Sequence, residues 1–288
     1  MKAYLDILKD VLENGVEKEN RTGINTISIP GATFRHDMSE GFPLLTTKKV
    51  YIKGVLSEVE FFLKGITDKK WLQDRNNHIW DQWCSPLKVK YGHDEETKQK
   101  MLLERDLGPI YGFQWRHFGA EYISFDSDYT NKGIDQIQIL IDTIKSNPTD
   151  RRMLVTAWNP MDLDKMALPP CHYGFQVTVT DGKLNLFWNQ RSADMPLGIP
   201  FNIASYATLL HLLAKECNLK EGILMGFWGD VHIYMNQLEG VKTQLDRKPK
   251  ELPSVVTNDF KSIFDWEYTD TEFINYDPDP TIKFELAV

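Results

Sequence analysis

The sequence predicts an α+β fold with one mixed β-sheet. Three observations favour this class: helical and strand-like segments alternate irregularly, one hairpin has a clear turn signal, and one long apolar helix follows that hairpin. With 288 residues the chain can bury a large core, as one large domain or as two ordinary ones. We expect a single catalytic domain over residues 1–288, with the charged segment 84–106 as a surface insertion.

Local patterns in the first third of the chain predict two helices separated by strands. Apolar residues at helical spacing predict an amphipathic helix over residues 1–14, with Gly15 as its stop. The segment "NRTGINTISIPGATFRH" (20–36) alternates as strands do, around two glycines. Residues 50–64 predict a buried helix that ends at Gly65.

The rest of the chain predicts the strands of the sheet and one long helix. Residues 134–146 are expected to be helical, and "RRMLVTAW" (151–158) predicts a strand. Two alternating runs meet at Asp181-Gly182, which is the strongest short signal for a hairpin. A long apolar helix is predicted over 203–219 and a strand over 226–237. The last fifth is rich in loops, with "DPDP" (277–280) before a predicted final strand.

Composition and charge exclude several classes of protein. The chain is 42% hydrophobic with eight tryptophans, which is too apolar for a disordered protein. Its net charge of −8 argues against a general binder of nucleic acid or anionic membranes. Three widely spaced cysteines do not form a disulfide framework. The N-terminus does not resemble a signal peptide and no run of 18 apolar residues occurs, so a cytoplasmic location is expected.

The segment "ALPPCHYGFQV" (167–177) contains the first candidate for chemistry, Cys171. This cysteine is a nucleophile, a metal ligand or an inert buried side chain. Metal binding is disfavoured because no second cysteine lies nearby in the sequence. Pro169 and Pro170 stiffen the approach to the thiol, and His172 follows it. A nucleophilic thiolate would also need positive charge close by.

Four arginines in polar, turn-flanked motifs are candidates for that charge: Arg21, Arg151, Arg152 and Arg191. Guanidinium groups match phosphate oxygens well, so these arginines suit a phosphate ligand. Each of them alone could equally be a solvated surface residue.

Other polar residues stand in apolar surroundings. Asn202 precedes the long helix, where it is either an N-cap or a reader of a uracil edge, because a carboxamide both accepts and donates. Glu58 and Glu60 lie two apart in a buried helix, so we expect one to be solvated and the other to face the core or a cleft. A carboxyl in a cleft could transfer protons. Trp80, Trp83 and Tyr111 offer aromatic surface, although core packing is the simpler interpretation.

Taken together, the chain resembles the thymidylate synthase family along nearly its whole length. The motifs that carry the resemblance occur in this order: "NRTG", "GFPLLTTKK", "SEVEFFLKG", "IWDQW", "DLGPIYGFQW", "DRRMLVTAWNP", "ALPPCH", "QRSAD", "LGIPFNIASYA", "GDVHIY" and "FELAV". The resemblance implies a homodimer with the sheet at the dimer interface and the helices on its other face. It also implies that dUMP and 5,10-methylenetetrahydrofolate are the substrates, with no metal and no nucleic acid required.

The resemblance also assigns roles to residues. Cys171 would attack C6 of dUMP, Glu58 would relay protons, Tyr111 would help to remove the C5 proton, and Arg191, Asn202 and Asp194 would complete the catalytic set. The nucleotide site would comprise Arg21, Gln190, Arg191, Ser192, Asn202, His232 and Tyr234, with Arg151 and Arg152 reaching it from the second subunit. The folate site would comprise Ile79, Trp80, Trp83, Leu168, Asp194, Leu197, Gly198, Phe201 and the C-terminal Val288.

Four positions depart from the family pattern: Glu60, Ala193, Pro196 and Gln237, where Leu, Cys or Val, an aromatic residue and His are usual. Pro196 could reshape the wall that keeps water from the reaction. An alternative is therefore a dUMP hydroxymethylase, in which water quenches the same adduct. Two further alternatives are a nucleotide-binding protein without catalysis and a Cys-His hydrolase in which His172 bonds the thiol.

Overall fold

A computed structural model describes residues 1–285 and confirms the α+β class. Within these residues the chain forms eight strands. They are β1 (Val16–Lys18), β2 (Thr26–Asp37), β3 (Leu154–Thr156), β4 (His172–Thr180), β5 (Lys183–Asp194), β6 (Lys220–Tyr234), β7 (Ser254–Thr257) and β8 (Thr271–Ile274).

The same described residues form eight α-helices. They are α1 (Lys2–Asn14), α2 (Ile52–Leu63), α3 (Lys69–Gln73), α4 (Glu95–Leu103), α5 (Tyr111–His117), α6 (Gln136–Ser146), α7 (Gly198–Glu216) and α8 (Leu238–Leu245). Residues 1–285 contain no helix that is both long enough and apolar enough to cross a membrane.

Six strands form a mixed sheet in the order β1-β2-β6-β5-β4-β3, and β7 pairs with β8. The β5–β6 pair is parallel, whereas β1–β2, β2–β6 and β3–β4 are antiparallel. The chain divides into two compact units. The first unit comprises Met1–Tyr51, Val177–Asp259 and the described residues from Thr269 onward, and the second comprises Ile52–Gln176 and Phe260–Tyr268.

The core of the first unit is formed where α7 packs against β5 and β6. Alternate residues of β5 are buried, as expected for a strand with one face toward a helix. Trp188 of β5 is fully buried and stacks on Tyr206 of α7, with ring centroids 5.1 Å apart. This packing orients the end of β5, which carries several of the predicted site residues.

The predicted hairpin and most predicted helices are confirmed. Asp181 and Gly182 have φ of 51° and 68°, as a two-residue hairpin turn requires. The long helix α7 begins at Gly198, five residues before the predicted start, because a proline such as Pro200 is tolerated in a first helical turn. The predicted strand after residues 277–280 is wrong for the described residues, since none of residues 281–285 is in a strand.

Close packing of α2 against α5 organises the second unit. A Cβ atom at Gly112 would lie 2.8 Å from the carbonyl oxygen of Phe62, so only glycine allows this approach. The contact brings Tyr111 at the start of α5 against α2, with the rings of Tyr111 and Phe62 stacked at 4.9 Å.

The charged segment 84–106 contains one helix, α4, and is attached to the second unit by a buried lysine. Lys69 is 1% exposed, and its ammonium group donates to the carbonyl oxygens of Trp83 at 2.9 Å and Met101 at 2.6 Å. Tyr91 of this segment stacks on Trp83 with a centroid distance of 6.0 Å. The segment is therefore packed against the loop that carries Trp83.

Glu60 is buried and Glu58 is partly exposed, so Glu60 is the carboxyl of this pair that faces the core. Glu60 is 1% exposed and forms an ion pair with Lys64 at 2.5 Å. Its other oxygen accepts the backbone N–H of Tyr268 at 2.9 Å. A buried carboxylate is stable here because both of its oxygens have partners.

We expect Glu60→Leu to lower the free energy of unfolding by about 1–3 kcal/mol, because it leaves the Tyr268 N–H without its acceptor. Glu60→Gln, which keeps an acceptor, should cost less. Urea unfolding of both variants measures the difference, with Glu95→Leu as a matched control because Glu95 forms only an exposed ion pair with Lys98. Equal stability of Glu60→Leu and Glu95→Leu would contradict the prediction.

Candidate active site

The second unit brings Cys171 together with Tyr111. Cys171 immediately precedes β4, and its backbone N–H donates to the Tyr111 hydroxyl oxygen at 2.8 Å. The Tyr111 ring is stacked on His172, with centroids 4.4 Å apart, as well as on Phe62. Two residues that are 60 positions apart in the sequence thus share one hydrogen bond, and ring contacts with Phe62 and His172 hold the phenol in place.

His172 is a poor candidate for a general base. Its side chain is buried, and this burial lowers its pKa to about 3. An imidazole with this pKa stays neutral at physiological pH and holds a proton too weakly to act as a base near neutrality. The Cys-His hydrolase alternative is therefore disfavoured.

Glu58 is a carboxyl that titrates near neutral pH. Burial raises its pKa to about 7, and the indole N–H of Trp80, which donates to Oε1 at 2.8 Å, opposes the rise. The Trp80 ring lies edge-on to Tyr111 at 6.2 Å. A carboxyl with a pKa near 7 can both accept and release a proton under physiological conditions. The second unit therefore groups Glu58 with Trp80, Tyr111 and Cys171.

The loop that carries Ile79, Trp80 and Trp83 is anchored on α2 by Asn77. Asn77 is fully buried, and its amide donates to the Gly54 carbonyl and to the Ser57 hydroxyl, both at 3.0 Å. Its carbonyl oxygen accepts the Ile79 N–H at 3.3 Å. Leu168, the remaining predicted folate contact of this unit, is half-buried two residues before Pro170.

In the first unit Asn202 lies inside α7, so the N-cap interpretation of this residue is wrong. Its side-chain oxygen accepts a hydrogen bond from the Gln190 amide at 3.0 Å. The same amide donates to the Ser192 carbonyl at 2.9 Å, and the Trp188 indole N–H donates to the side-chain oxygen of Gln190 at 3.2 Å. This chain of bonds orients the Asn202 carboxamide, whose oxygen has a second lone pair and whose NH₂ group has two donors.

Asp194 and His232 are paired neighbours on β5 and β6. The Leu197 N–H donates to Asp194 Oδ1 at 3.1 Å. Burial raises the pKa of Asp194, while His232, Leu197, Gln237 and Lys48 oppose the rise. His232 Nδ1 lies 3.0 Å from Asp230 Oδ1, and its ring is edge-on to Tyr234 at 5.3 Å.

The remaining predicted folate contacts of the first unit lie at the start of α7. Leu197 is its N-cap, Gly198 is its first residue and Phe201 lies in the same turn, all partly exposed. They follow Asp194 directly in the chain, so β5 and α7 present them together with its carboxyl. The predicted contact at Val288 lies outside the described residues.

The four arginines of the predicted phosphate site are all exposed: Arg21, Arg151, Arg152 and Arg191. Arg21 and Arg191 belong to the first unit, and the other two belong to the second. Arg152 forms two hydrogen bonds with Asp150, at 3.0 and 2.9 Å. Their exposure leaves guanidinium groups accessible to an anion, and their role in binding phosphate stays a prediction.

Three buried residues contact predicted site residues, and the sequence did not predict these contacts. Lys48 donates to the carbonyl of Pro196, Lys69 binds the carbonyl of Trp83, and Gln237 contacts Asp194. Lysines are usually exposed, so no sequence signal marked the two lysines as buried. Within residues 1–285 no group of three or more His, Cys, Asp or Glu side chains is arranged to hold a metal ion.

Comparison with known proteins identifies the class of this chain. A family model described as "Thymidylate synthase" matches residues 2–288. The chain is 46% identical over 285 residues to the thymidylate synthase of Corynebacterium aurimucosum, covering 99% of this chain and 97% of the relative. It therefore belongs to the thymidylate synthase family, a family of methyltransferases.

Two longer relatives are also similar to this chain. It is 44% identical over 290 residues to the bifunctional dihydrofolate reductase-thymidylate synthase of Paramecium tetraurelia, and 46% identical over 291 residues to that of Leishmania major. The matches cover 99% and 100% of this chain but only 61% and 55% of the relatives, so the chain spans little more than half their length. None of these relatives is named as a hydroxymethylase, and that alternative has no support.

Proposed function

We propose that this chain catalyses the reductive methylation of dUMP to dTMP, with 5,10-methylenetetrahydrofolate as the donor of both the carbon and the hydride. The observation that carries the proposal is the family match over residues 2–288. The local geometry supports it, because a carboxyl that titrates near pH 7 lies with Trp80 and Tyr111 in the unit that contains Cys171.

The first chemical step is the addition of the Cys171 thiolate to C6 of dUMP. The C5 atom of uracil is a poor nucleophile, and covalent addition at C6 makes it reactive. The hydrogen bond from the Cys171 N–H to Tyr111 positions the backbone of the nucleophile. Tyr111 then assists removal of the proton from C5, and Glu58 exchanges protons with the pyrimidine through water.

Several residues recognise the nucleotide. Asn202 reads the uracil edge with the carboxamide that Gln190 orients. His232 and Tyr234 bond the deoxyribose hydroxyl. The guanidinium groups of Arg21 and Arg191 and the hydroxyl of Ser192 hold the phosphate, and Gln190 belongs to the same nucleotide site. The second subunit of a homodimer supplies Arg151 and Arg152 to the phosphate.

The residues assigned to the folate suit such a ligand. Folate has a polar, hydrogen-bonding pterin joined to an aromatic ring, and Asp194 is a carboxyl with a raised pKa beside apolar residues at the start of α7. Asp194 bonds the pterin, and Ile79, Trp80 and Trp83 supply apolar and aromatic surface. When bound, the folate supplies the one-carbon unit and the reducing equivalents. The surrounding side chains exclude water from the reacting atoms.

Product analysis tests the proposal. With dUMP and methylenetetrahydrofolate we expect dTMP and dihydrofolate, followed by the rise in absorbance that dihydrofolate formation causes. Formation of 5-hydroxymethyl-dUMP with release of tetrahydrofolate would overturn the proposal. Failure to form either product, while dUMP still binds, would instead indicate a nucleotide-binding protein without catalysis.

A further inference from the structure

Gln237 connects three separate parts of the first unit. This residue is 1% exposed and ends a single helical turn (Met235–Gln237) directly after β6. Its side-chain oxygen accepts the Tyr234 N–H at 3.1 Å. Its side-chain nitrogen lies 3.4 Å from Asp194 Oδ2 and 3.4 Å from the carbonyl oxygen of Glu285. A carboxamide has two N–H donors and one acceptor oxygen, so each of these groups has its own partner.

The C-terminal segment that contains Glu285 is bound to the first unit at several points before it reaches Gln237. Its contacts are the Tyr276 hydroxyl with the Leu45 carbonyl at 2.8 Å, the Asp279 N–H with the Thr46 carbonyl at 2.7 Å, and the Pro280 carbonyl with Arg247 at 2.7 Å. The Lys48 ammonium lies 4.7 Å from the Phe284 ring centroid. A Cβ at Gly240 would come within 2.5 Å of the same ring. The segment 276–285 therefore follows a defined path to the Gln237 amide.

Several groups around Asp194 act on its pKa. His232 on β6 and Lys48 lower its pKa, and the buried Tyr4 phenol of α1 also lies in its field. Burial lowers the pKa of Lys48 itself to about 8. Gln237 differs from these groups because its carboxamide has no charge and does not titrate. It offers Asp194 the same donor at every pH, whereas the histidine that is usual at this position would change its charge near neutral pH.

We propose that Gln237 is a positioning residue of the folate site, which holds the Asp194 carboxyl and the backbone of Glu285 to the same amide group. The inference rests on the proposed function, in which Asp194 bonds the folate. Loss of the amide would remove the link between Asp194 and the backbone of Glu285. It should therefore weaken the use of folate more than the binding of dUMP, to which Gln237 is connected through the Tyr234 N–H.

Steady-state kinetics of three variants test this role. Gln237→Leu removes all three hydrogen bonds and should raise KM for methylenetetrahydrofolate about three- to tenfold, with a smaller change in the Kd for dUMP. Gln237→Glu places a second carboxyl beside Asp194, so its KM relative to wild type should be larger at about pH 9 than at about pH 6. Each variant is compared with wild type at the same pH because Lys48 also titrates in this range. Gln237→His, which retains an N–H donor, should recover part of the lost affinity.

A matched control is Gln244→Leu, which removes another fully buried glutamine of the same unit, whose amide donates to the Thr47 hydroxyl at 3.2 Å. This variant should lose stability but keep the wild-type KM for folate. The proposal is overturned if Gln237→Leu and Gln244→Leu change KM equally, or if the KM ratio of Gln237→Glu does not depend on pH.

A readout that does not need activity separates this proposal from the proposed function. Hydrogen exchange of the backbone amides in residues 281–285 should be faster in Gln237→Leu than in wild type and in Gln244→Leu. Faster exchange in Gln237→Leu, together with a wild-type protein that makes no dTMP, would refute the proposed function and leave the structural link intact. Unchanged exchange together with normal dTMP formation would refute the role of Gln237 alone.

Discussion

Replacing Cys171 with serine is expected to abolish dTMP formation while dUMP still binds. A serine hydroxyl is a much weaker nucleophile than a thiolate, so turnover should fall by more than about 10³-fold. The bond to Tyr111 is made by the backbone N–H of residue 171, so the substitution should leave the local geometry in place. Turnover is measured from dihydrofolate absorbance, and dUMP binding is measured by calorimetry.

The matched control for this experiment is Cys217→Ser, the same substitution at the C-cap of α7. It should keep wild-type turnover, because no role in the reaction is assigned to Cys217. A fully active Cys171→Ser variant would refute the covalent mechanism.

Replacing Glu58 with glutamine is expected to lower kcat by about 10²- to 10⁴-fold, because glutamine cannot accept or release the proton. The wild-type pH–rate profile should contain a titration near pH 7, where the pKa of Glu58 lies, and the variant should lack it. Glu60→Gln is the matched control on the same helix, and its turnover should stay close to that of wild type. A Glu58→Gln profile with an unchanged titration would contradict the assignment.

The same substitution should not destabilise the protein at alkaline pH. The pKa of Glu58 is raised from 4.5 in the reference state to about 7 in the fold, so the folded state binds this proton more tightly. Its contribution to stability is fully present below about pH 4.5 and is lost as the pH rises through about 7. Above pH 7, Glu58→Gln should therefore be at least as stable as wild type in urea unfolding, so that lost activity there cannot be attributed to unfolding.

Local sequence patterns predicted most of the fold correctly. Helical periodicity located α1, α2 and α6 within two residues at each end, because one face of each is buried and the apolar spacing reports that face. The Asp181-Gly182 turn was recognised because few residue pairs adopt two consecutive positive φ angles. The start of α7 was missed because "LGIP" has the composition of a loop, although a first helical turn needs no N–H from Pro200.

The candidate site was predicted only as a set of residues. Motif resemblance singled out Cys171, Tyr111, Glu58 and Asp194, but it did not indicate which of them contact one another. Spacing along α2 did not indicate which of Glu58 and Glu60 would face the core. Their hydrogen-bond donors come from elsewhere in the chain: the Trp80 indole donates to Glu58, and the Tyr268 N–H donates to Glu60.

The sequence by itself thus determined most of the helices and strands before residue 237, the hairpin and the family to which the chain belongs. The tertiary structure alone decided that Glu58 titrates near pH 7, that His172 stays neutral and that Gln237 joins Asp194 to Glu285. The physical reason is that helix and strand patterns arise from neighbours a few residues apart. A pKa or a buried hydrogen bond depends on desolvation and on partners that the fold brings from distant positions.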